Sequence, residues 1–484
     1  MHENKTAPET SQREEFLWRR HPEAEDYVGQ KLSAFTLALP AATGLEQEMV
    51  TRSGSHLFDW LDHLVLAAGD RPRGELRDLG FRQEEVPAEV GDEVWRHPGT
   101  MLPPILLRPA PSEAGTPLAA AIQVEDVAFF LMAHHLSAPI EGTPAAPYRR
   151  ALAWQQVGRE LWAVERRGHP GFLPLEMPPD YPDQVLRAFE RWATRPRLFD
   201  DERAGMEHTL ALARSLCAGV GTETAAWVVL AAERTHWQAR NRAGQVQKAR
   251  QDSLGLGWTN HDHHTFRSSR QNFSLLIQIL ETLGFRPRER FYAGAEAGWG
   301  AQVLEHPAWR PAPAGIFADV DLSPDEVGGD FAHEPLPERY SAAGGEEGQK
   351  LGTVGLWCAL HGESMLGAGL HHLAARLDFQ RATDDLAERG VDMMRPFSDF
   401  SYLRQAFTRG ERWDVAPERL ARLAALAPGQ IDEAQRQRFL DKGAVGSHLE
   451  NIQRAEGFKG FNQQTVSDII RRTDPRAEVG LPAA

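Results

Sequence analysis

The apolar positions change period several times along the chain, and the changes mark its elements. From about residue 182 to 253 they recur every three to four residues among alanine, leucine and charged positions. That spacing predicts helices over residues 185–192, 206–216 and 223–250. At Trp258 the pattern turns strand-like through His261, His263, His264 and Arg267. Leu275, Leu276, Ile279 and Leu283 then resume helical spacing, Gly284 stands where a helix should stop, and Phe291-Tyr292 opens a new extended stretch. The order is a strand, a helix and then strands.

The same order returns downstream. Residues 370–376 read LHHLAAR, a helical stretch follows over 382–389, and Gly390 and Val391 close it. A weaker copy lies near the N-terminus, with Asp62-His63-Leu64-Val65-Leu66 followed by residues 76–81, and Ala67 where the other copies carry arginine. Repetition of this kind predicts an α+β fold of paired modules, their mixed sheets facing one another, with a helical region and a degenerate N-terminal module. Elsewhere, residues 101–109 and 119–131 read as strand or short helix, 149–165 as helix, and the proline-rich 171–181 as a linker or extended wrap. Residues 311–322 and 401–407 read as strands, 351–360 as a buried strand, 328–349 as a surface loop, and 417–426 and 431–440 as helices. These elements divide the chain into a disordered lead (1–14), an N-terminal α+β unit (15–180), a helical region (181–257), a first metal-site module (258–345), a second (346–476) and a tail (477–484).

Charge and cysteine content narrow the function classes. The net charge is −15 over 484 residues, which disfavours a nucleic-acid partner because phosphate binding wants a basic face. No stretch of eighteen uncharged apolar residues is present, so no membrane span is expected. The two cysteines, Cys217 and Cys358, form neither a ligand pair nor a disulfide framework. Together with a polar N-terminal stretch lacking an apolar signal core, this predicts a cytoplasmic protein. Oligomeric state stays open.

Among nineteen histidines, two stand apart. His263 lies four residues before Arg267, and His372 four before Arg376. On an extended segment residues four apart share a face, so each copy presents an imidazole and a guanidinium together. Two histidines and one carboxylate on one face suit ferrous iron with open positions, and the arginines suit two-pronged recognition of a carboxylate. Neighbouring His264 and His371 fall on the other face. Candidates for the carboxylate include Glu363, Glu296 and Glu305, and His448 is a further possible ligand or supporting residue beside Glu450.

The motifs resemble those of the 2-oxoadipate dioxygenase/decarboxylases, non-haem iron enzymes whose core is built like the vicinal-oxygen-chelate superfamily. His263 to Arg267 resembles the family's first histidine element, and Gly284-Phe285-Arg286-Pro287 with Phe291-Tyr292 the turn and strand after it. His372-Leu373-Ala374-Ala375-Arg376 is similar to the second histidine element, Leu403-Arg404-Gln405-Ala406-Phe407 to a later substrate element, and Glu450-Asn451-Ile452-Gln453-Arg454 to the glutamate element. The resemblance covers roughly residues 230–472. It implies Fe(2+) held by His263, His372 and Glu450, with Glu363, His264 and His448 as competing ligands. It also implies Arg267, Arg376, Arg404 and Gln405 at the substrate, and a reaction in which dioxygen converts a dicarboxylic 2-oxo acid to a 2-hydroxy acid with loss of carbon dioxide. Two other readings fit the same residues: a metal-dependent lyase or isomerase on the same scaffold, and a small-acid binding module.

Overall fold

The computed structural model describes residues 20–292, 298–309, 315–323, 325–337, 354–355, 358, 362–367, 371–391 and 421. Two helices, α1 (Pro22–Ala38) and α2 (Pro40–Arg52), lead into the first sheet. Pro22 and Pro40 sit in their first turns, where the missing N–H costs nothing.

The first sheet is two copies of one unit. In the first copy β1 (Leu61–Ala67) is followed by α3 (Asp70–Asp78) and then β2 (Arg82–Glu84), β3 (Glu93–Arg96) and β4 (Ile105–Arg108). The second runs β5 (Pro117–Gln123), α4 (Val127–Ala133), β6 (Ile140–Glu141), β7 (Tyr148–Gln156) and β8 (Arg159–Arg166). In each, the three later strands form an antiparallel meander whose last member returns parallel to the first strand, β4 beside β1 and β8 beside β5. Antiparallel pairing of β1 with β5 fuses the copies into one eight-stranded sheet.

Helices bridge to the second sheet: α5 (Tyr181–Ala193), α6 (Glu202–Val220), α7 (Thr222–Gln238) and α8 (Arg242–Asp252). The predicted single helix over 223–250 is two, because Asn241 stops and restarts it, its side chain capping Gly244 N–H. The third unit then repeats the topology: β9 (His261–Arg267), α9 (Phe273–Thr282), β10 (Arg286–Tyr292), β11 (Trp299–Glu305) and β12 (Gly315–Asp321), with β12 parallel to β9. A fourth begins with β13 (His371–Ala375) and a helix, α10 (Phe379–Glu388). Strand β13 pairs antiparallel with β9, as β5 does with β1.

Four further expectations change. The modules join edge to edge in continuous sheets instead of as sheets facing each other, because the first strand of a lone module would leave a row of backbone donors and acceptors unpaired. The N-terminal part holds two complete units, not one degenerate module. Residues 149–165 form the β7–β8 hairpin and not a helix, turning at Val157 and Gly158, which both have positive φ. In the 351–360 stretch, Val354, Gly355 and Cys358 are helical. The predicted elements at 401–407, 417–426 and 431–440 lie outside the described residues apart from Ala421. Among the described residues no helix is long and apolar enough to cross a membrane.

Candidate metal centre

The register of the second sheet brings the two histidine elements together. Across the β9–β13 seam, position 372 stands opposite Thr265 and position 374 opposite His263, while position 371 faces Phe266 and position 373 faces His264. Opposite residues share a face and alternate along the strand. Positions 263, 265 and 267 therefore lie on one face with 372 and 374. Phe266 belongs to the core built with Phe273, Leu276 and the bridging helices, so this face is the one turned away from α9. Positions 263 and 372 are diagonal neighbours across the seam, which puts their backbones about 7–8 Å apart. Gly315, Phe317 and Asp319 on β12 pair with His263, Thr265 and Arg267 and extend the same face.

The two arginines flank this centre from opposite ends, because the strands run antiparallel. Arg376 lies level with Asn260: its N–H donates to the Asn260 carbonyl at 3.2 Å, and the Asn260 amide donates to the Arg376 carbonyl at 2.7 Å. Arg267 is seven residues further along β9, about 23 Å at roughly 3.3 Å per residue. Both side chains are buried. The Arg267 Nε is 3.5 Å from the buried Asp319 carboxylate. Its backbone is clamped by Ser364, whose hydroxyl accepts from Arg267 N–H at 2.8 Å and donates to the Arg267 carbonyl at 2.7 Å.

The competing ligands separate physically. Glu363 is fully buried, and its carboxylate accepts from Ser268 Oγ at 2.5 Å, from Ser269 N–H at 3.1 Å and from Asn272 Nδ2 at 3.2 Å. It closes the turn between β9 and α9. Burial and the nearby Glu202 push its pKa above the usual carboxylate range, against the pull of those donors. Its lone pairs are occupied, which argues against metal ligation. His264 is buried on the opposite face from position 263, its ring parallel to Phe266 at 6.0 Å. Glu305 pairs with Arg288 at the far edge strands. Glu296, Arg404, Gln405, His448 and Glu450 lie outside the described residues. Among residues whose side chains are described, no three His, Cys, Asp or Glu groups converge as a metal cluster.

No protein-family model and no curated protein matches this chain. Among solved structures, a glyoxalase I mutant from Zea mays is similar at 15% identity, over 22% of this chain and 43% of that one, with a TM-score of 0.17. The overlap spans less than half of that chain, and a likeness this slight carries no argument. The reading of the site therefore rests on its own geometry.

Two buried aspartates escaped the sequence reading. Asp319 faces Arg267, and Asp321 lies 3.9 Å from Arg270, which also pairs with Glu326. Their signal was the alternation Phe317-Ala318-Asp319-Val320-Asp321, which in a strand puts both carboxylates on one face.

The corresponding centre of the first sheet is filled. His63 is buried, with Nδ1 2.5 Å from the Asp62 carboxylate, which Arg166 and Gln123 also engage. Burial holds the His63 pKa below its ordinary value. Phe172, from the proline-rich wrap, packs 5.1 Å from the His63 ring and covers both Arg96 and Arg166.

Proposed function

We propose that the protein is an Fe(2+)-dependent dioxygenase/decarboxylase acting on a dicarboxylic 2-oxo acid, with its centre at the β9–β13 seam. The observation that carries this reading is the register that sets positions 263 and 372 on one face as diagonal neighbours, with an arginine at each end. His263 and His372 would hold the ion, and Glu450, implied by the motif resemblance, would complete the set. Bound iron(II) would supply oxygen activation and polarisation of the 2-oxo acid. The chain's own residues do the rest.

Arg376 and Arg267 mark where the carboxylates lie: one end of an extended diacid at each end of the seam, with the reacting carbon held between them over the histidines. Arg404 and Gln405 would add substrate contacts. Asp319 fixes the Arg267 fork so that less freedom is lost when it takes a carboxylate. Phe317 and Thr265 are buried on the same face and keep it dry, which strengthens every charge contact there.

The test is an oxygen-electrode screen of 2-oxo acids with iron-loaded protein and no added cosubstrate. Oxygen uptake with a dicarboxylic 2-oxo acid, matched by equal carbon dioxide release, is expected. Oxygen-independent cleavage or isomerisation of a carbonyl compound, with no uptake, would replace this reading by a lyase or isomerase. Tight binding of a small acid by protein that holds no metal would replace it by a binding module.

A further inference from the structure

The helices that bridge the two sheets carry a local excess of positive charge. Glu233 of α7 is fully buried, and Arg195 and Arg197 from the loop after α5 close on its carboxylate at 2.8 and 2.6 Å. The Trp192 and Trp237 indoles donate to the same carboxylate at 2.7 and 3.1 Å. The Arg197 guanidinium lies 5.9 Å from the Trp237 ring and the His236 ring 4.8 Å from it, so Trp237 ties the cluster to the end of α7. Just past that end, Arg240 donates through Nη1 to the His236 carbonyl at 2.8 Å.

Charge is not balanced there. Among the described residues Glu233 is the one carboxylate that pairs with Arg195 and Arg197, and Arg240 pairs with none. Any further partner of Glu233 must be a donor, since an ionised carboxylate only accepts. Three guanidiniums therefore stand against one carboxylate, an excess of two. The negative end of α7 offsets about half a charge, which leaves more than one. Partial burial and then Arg197 lower the Arg240 pKa. Burial, Arg197 and Arg240 hold the His236 pKa down to about 4, so its ring is neutral.

The buried and the accessible groups divide the work. Arg195 and Arg197 use their η nitrogens on Glu233 and on the carbonyls of Trp192, Met365 and Leu366, and their side chains are nearly inaccessible. They reach a ligand only through their field. Arg240 is exposed, and its Nε–Nη2 edge donates to no described residue. That edge is a two-pronged donor for an oxyanion. His236 is half-buried with neither ring nitrogen hydrogen-bonded among the described residues, and a neutral imidazole has one N–H to give. A monoanionic carboxylate would fill the edge and leave the imidazole donor and part of the charge unmet. A phosphoryl dianion brings a third oxygen and a second charge.

We propose that the end of α7 binds a dianionic phosphoryl group, two of its oxygens on the Nε–Nη2 edge of Arg240 and the third on His236, with Arg195 and Arg197 holding its charge from behind. Inorganic phosphate and the phosphoryl end of a small monoester share this chemistry. The site needs no metal and stands whether or not the seam binds iron.

The test is calorimetric titration of the full chain at pH 8, where the phosphoryl group is a dianion, with inorganic phosphate, methyl phosphate and dimethyl phosphate. One-to-one binding of the first two is expected, and dimethyl phosphate, which keeps the phosphorus centre but carries one charge, should bind about tenfold more weakly. Tighter methyl phosphate would mark the ligand as a monoester, and tighter inorganic phosphate as the free anion. Arg240→Gln, at an exposed position, should weaken phosphate by about ten- to a hundredfold. His236→Phe keeps a ring against Trp237 without the donor and should weaken it by about tenfold. Added EDTA should leave the affinity unchanged, which separates this site from phosphate held on a metal ion. Absence of phosphate binding, unchanged affinity in Arg240→Gln, loss of binding in EDTA, or dimethyl phosphate bound as tightly as methyl phosphate would overturn the proposal.

Discussion

Replacing Glu363 separates a structural carboxylate from a metal ligand. In Glu363→Ala the Ser269 N–H and the Asn272 amide lose their acceptor inside a fully buried site, while the Ser268 hydroxyl can turn elsewhere. Two stranded donors at about 1–3 kcal/mol each give roughly 2–6 kcal/mol, concentrated where β9 passes into α9. Glu363→Gln keeps an acceptor and should cost no more than about 1 kcal/mol at neutral pH. The pH dependence follows from the raised pKa of Glu363. Above the unfolded carboxylate value the unfolded chain has released its proton while the folded chain still holds it, so this group lowers stability as pH rises toward its folded pKa. The glutamine variant lacks that slope. Hydrogen exchange of residues 261–282 and urea unfolding across pH 4 to 8, with metal content measured on the same samples, provide the assay. Retention of full metal by Glu363→Gln, with local opening only in Glu363→Ala, is expected. Loss of metal in Glu363→Gln with unchanged exchange would refute the reasoning and make Glu363 a ligand.

Further outcomes follow from the same structure. Arg376→Ala should raise the substrate requirement by about ten- to a hundredfold with iron retained, since a bond to a charged group is worth about 1.5–3 kcal/mol; Arg267→Ala should in addition destabilise the fold by removing a cation beside the buried Asp319 carboxylate, which paired kinetics and urea unfolding would separate. Asp62→Asn should cost about 3–5 kcal/mol by leaving Arg166 buried against a neutral amide, read by denaturant unfolding of the first sheet. Glu326 is more exposed to burial's penalty than helped by it, yet Arg270 and Ser323 bring its pKa down to about 2, so its stabilisation is present above pH 4.5 and lost as pH falls toward 2; Glu326→Gln should flatten that part of the stability profile. His236 is held neutral, its pKa lowered to about 4 by burial and by Arg197 and Arg240, so stability should fall as pH drops from 6.5 toward 4, and His236→Gln should remove that loss in the same titration.

Much of the module pattern was legible because it repeats. His63 and His263 occupy the third positions of β1 and β9, each a seven-residue strand followed by a helix, and the sequence order of strand, helix and strands survives in the structure. The second N-terminal unit was hidden for a local reason. Its β7–β8 hairpin turns on Val157-Gly158, and a valine at positive φ gives no turn signal, so the apolar spacing of the two strands ran together as one helix. Strand periodicity put residues four apart on one face within each copy, but not the antiparallel seam, and it is the seam that sets positions 263 and 372 on one face and moves the two arginines to opposite ends. Glu363 looked like a ligand because it stands beside the second histidine element. Its actual partners are Ser268, Ser269 and Asn272, more than ninety residues away in sequence.

Metal content of single-histidine variants tests the central claim most directly. Protein purified without chelator should carry one divalent metal per chain by plasma mass spectrometry. His263→Ala and His372→Ala should each lose it, since removing one imidazole leaves the ion too few protein ligands. His63→Ala, whose imidazole is packed against Asp62 and Phe172, should keep the full equivalent. Full metal in both seam variants, or its loss in His63→Ala alone, would contradict the account and place the centre elsewhere.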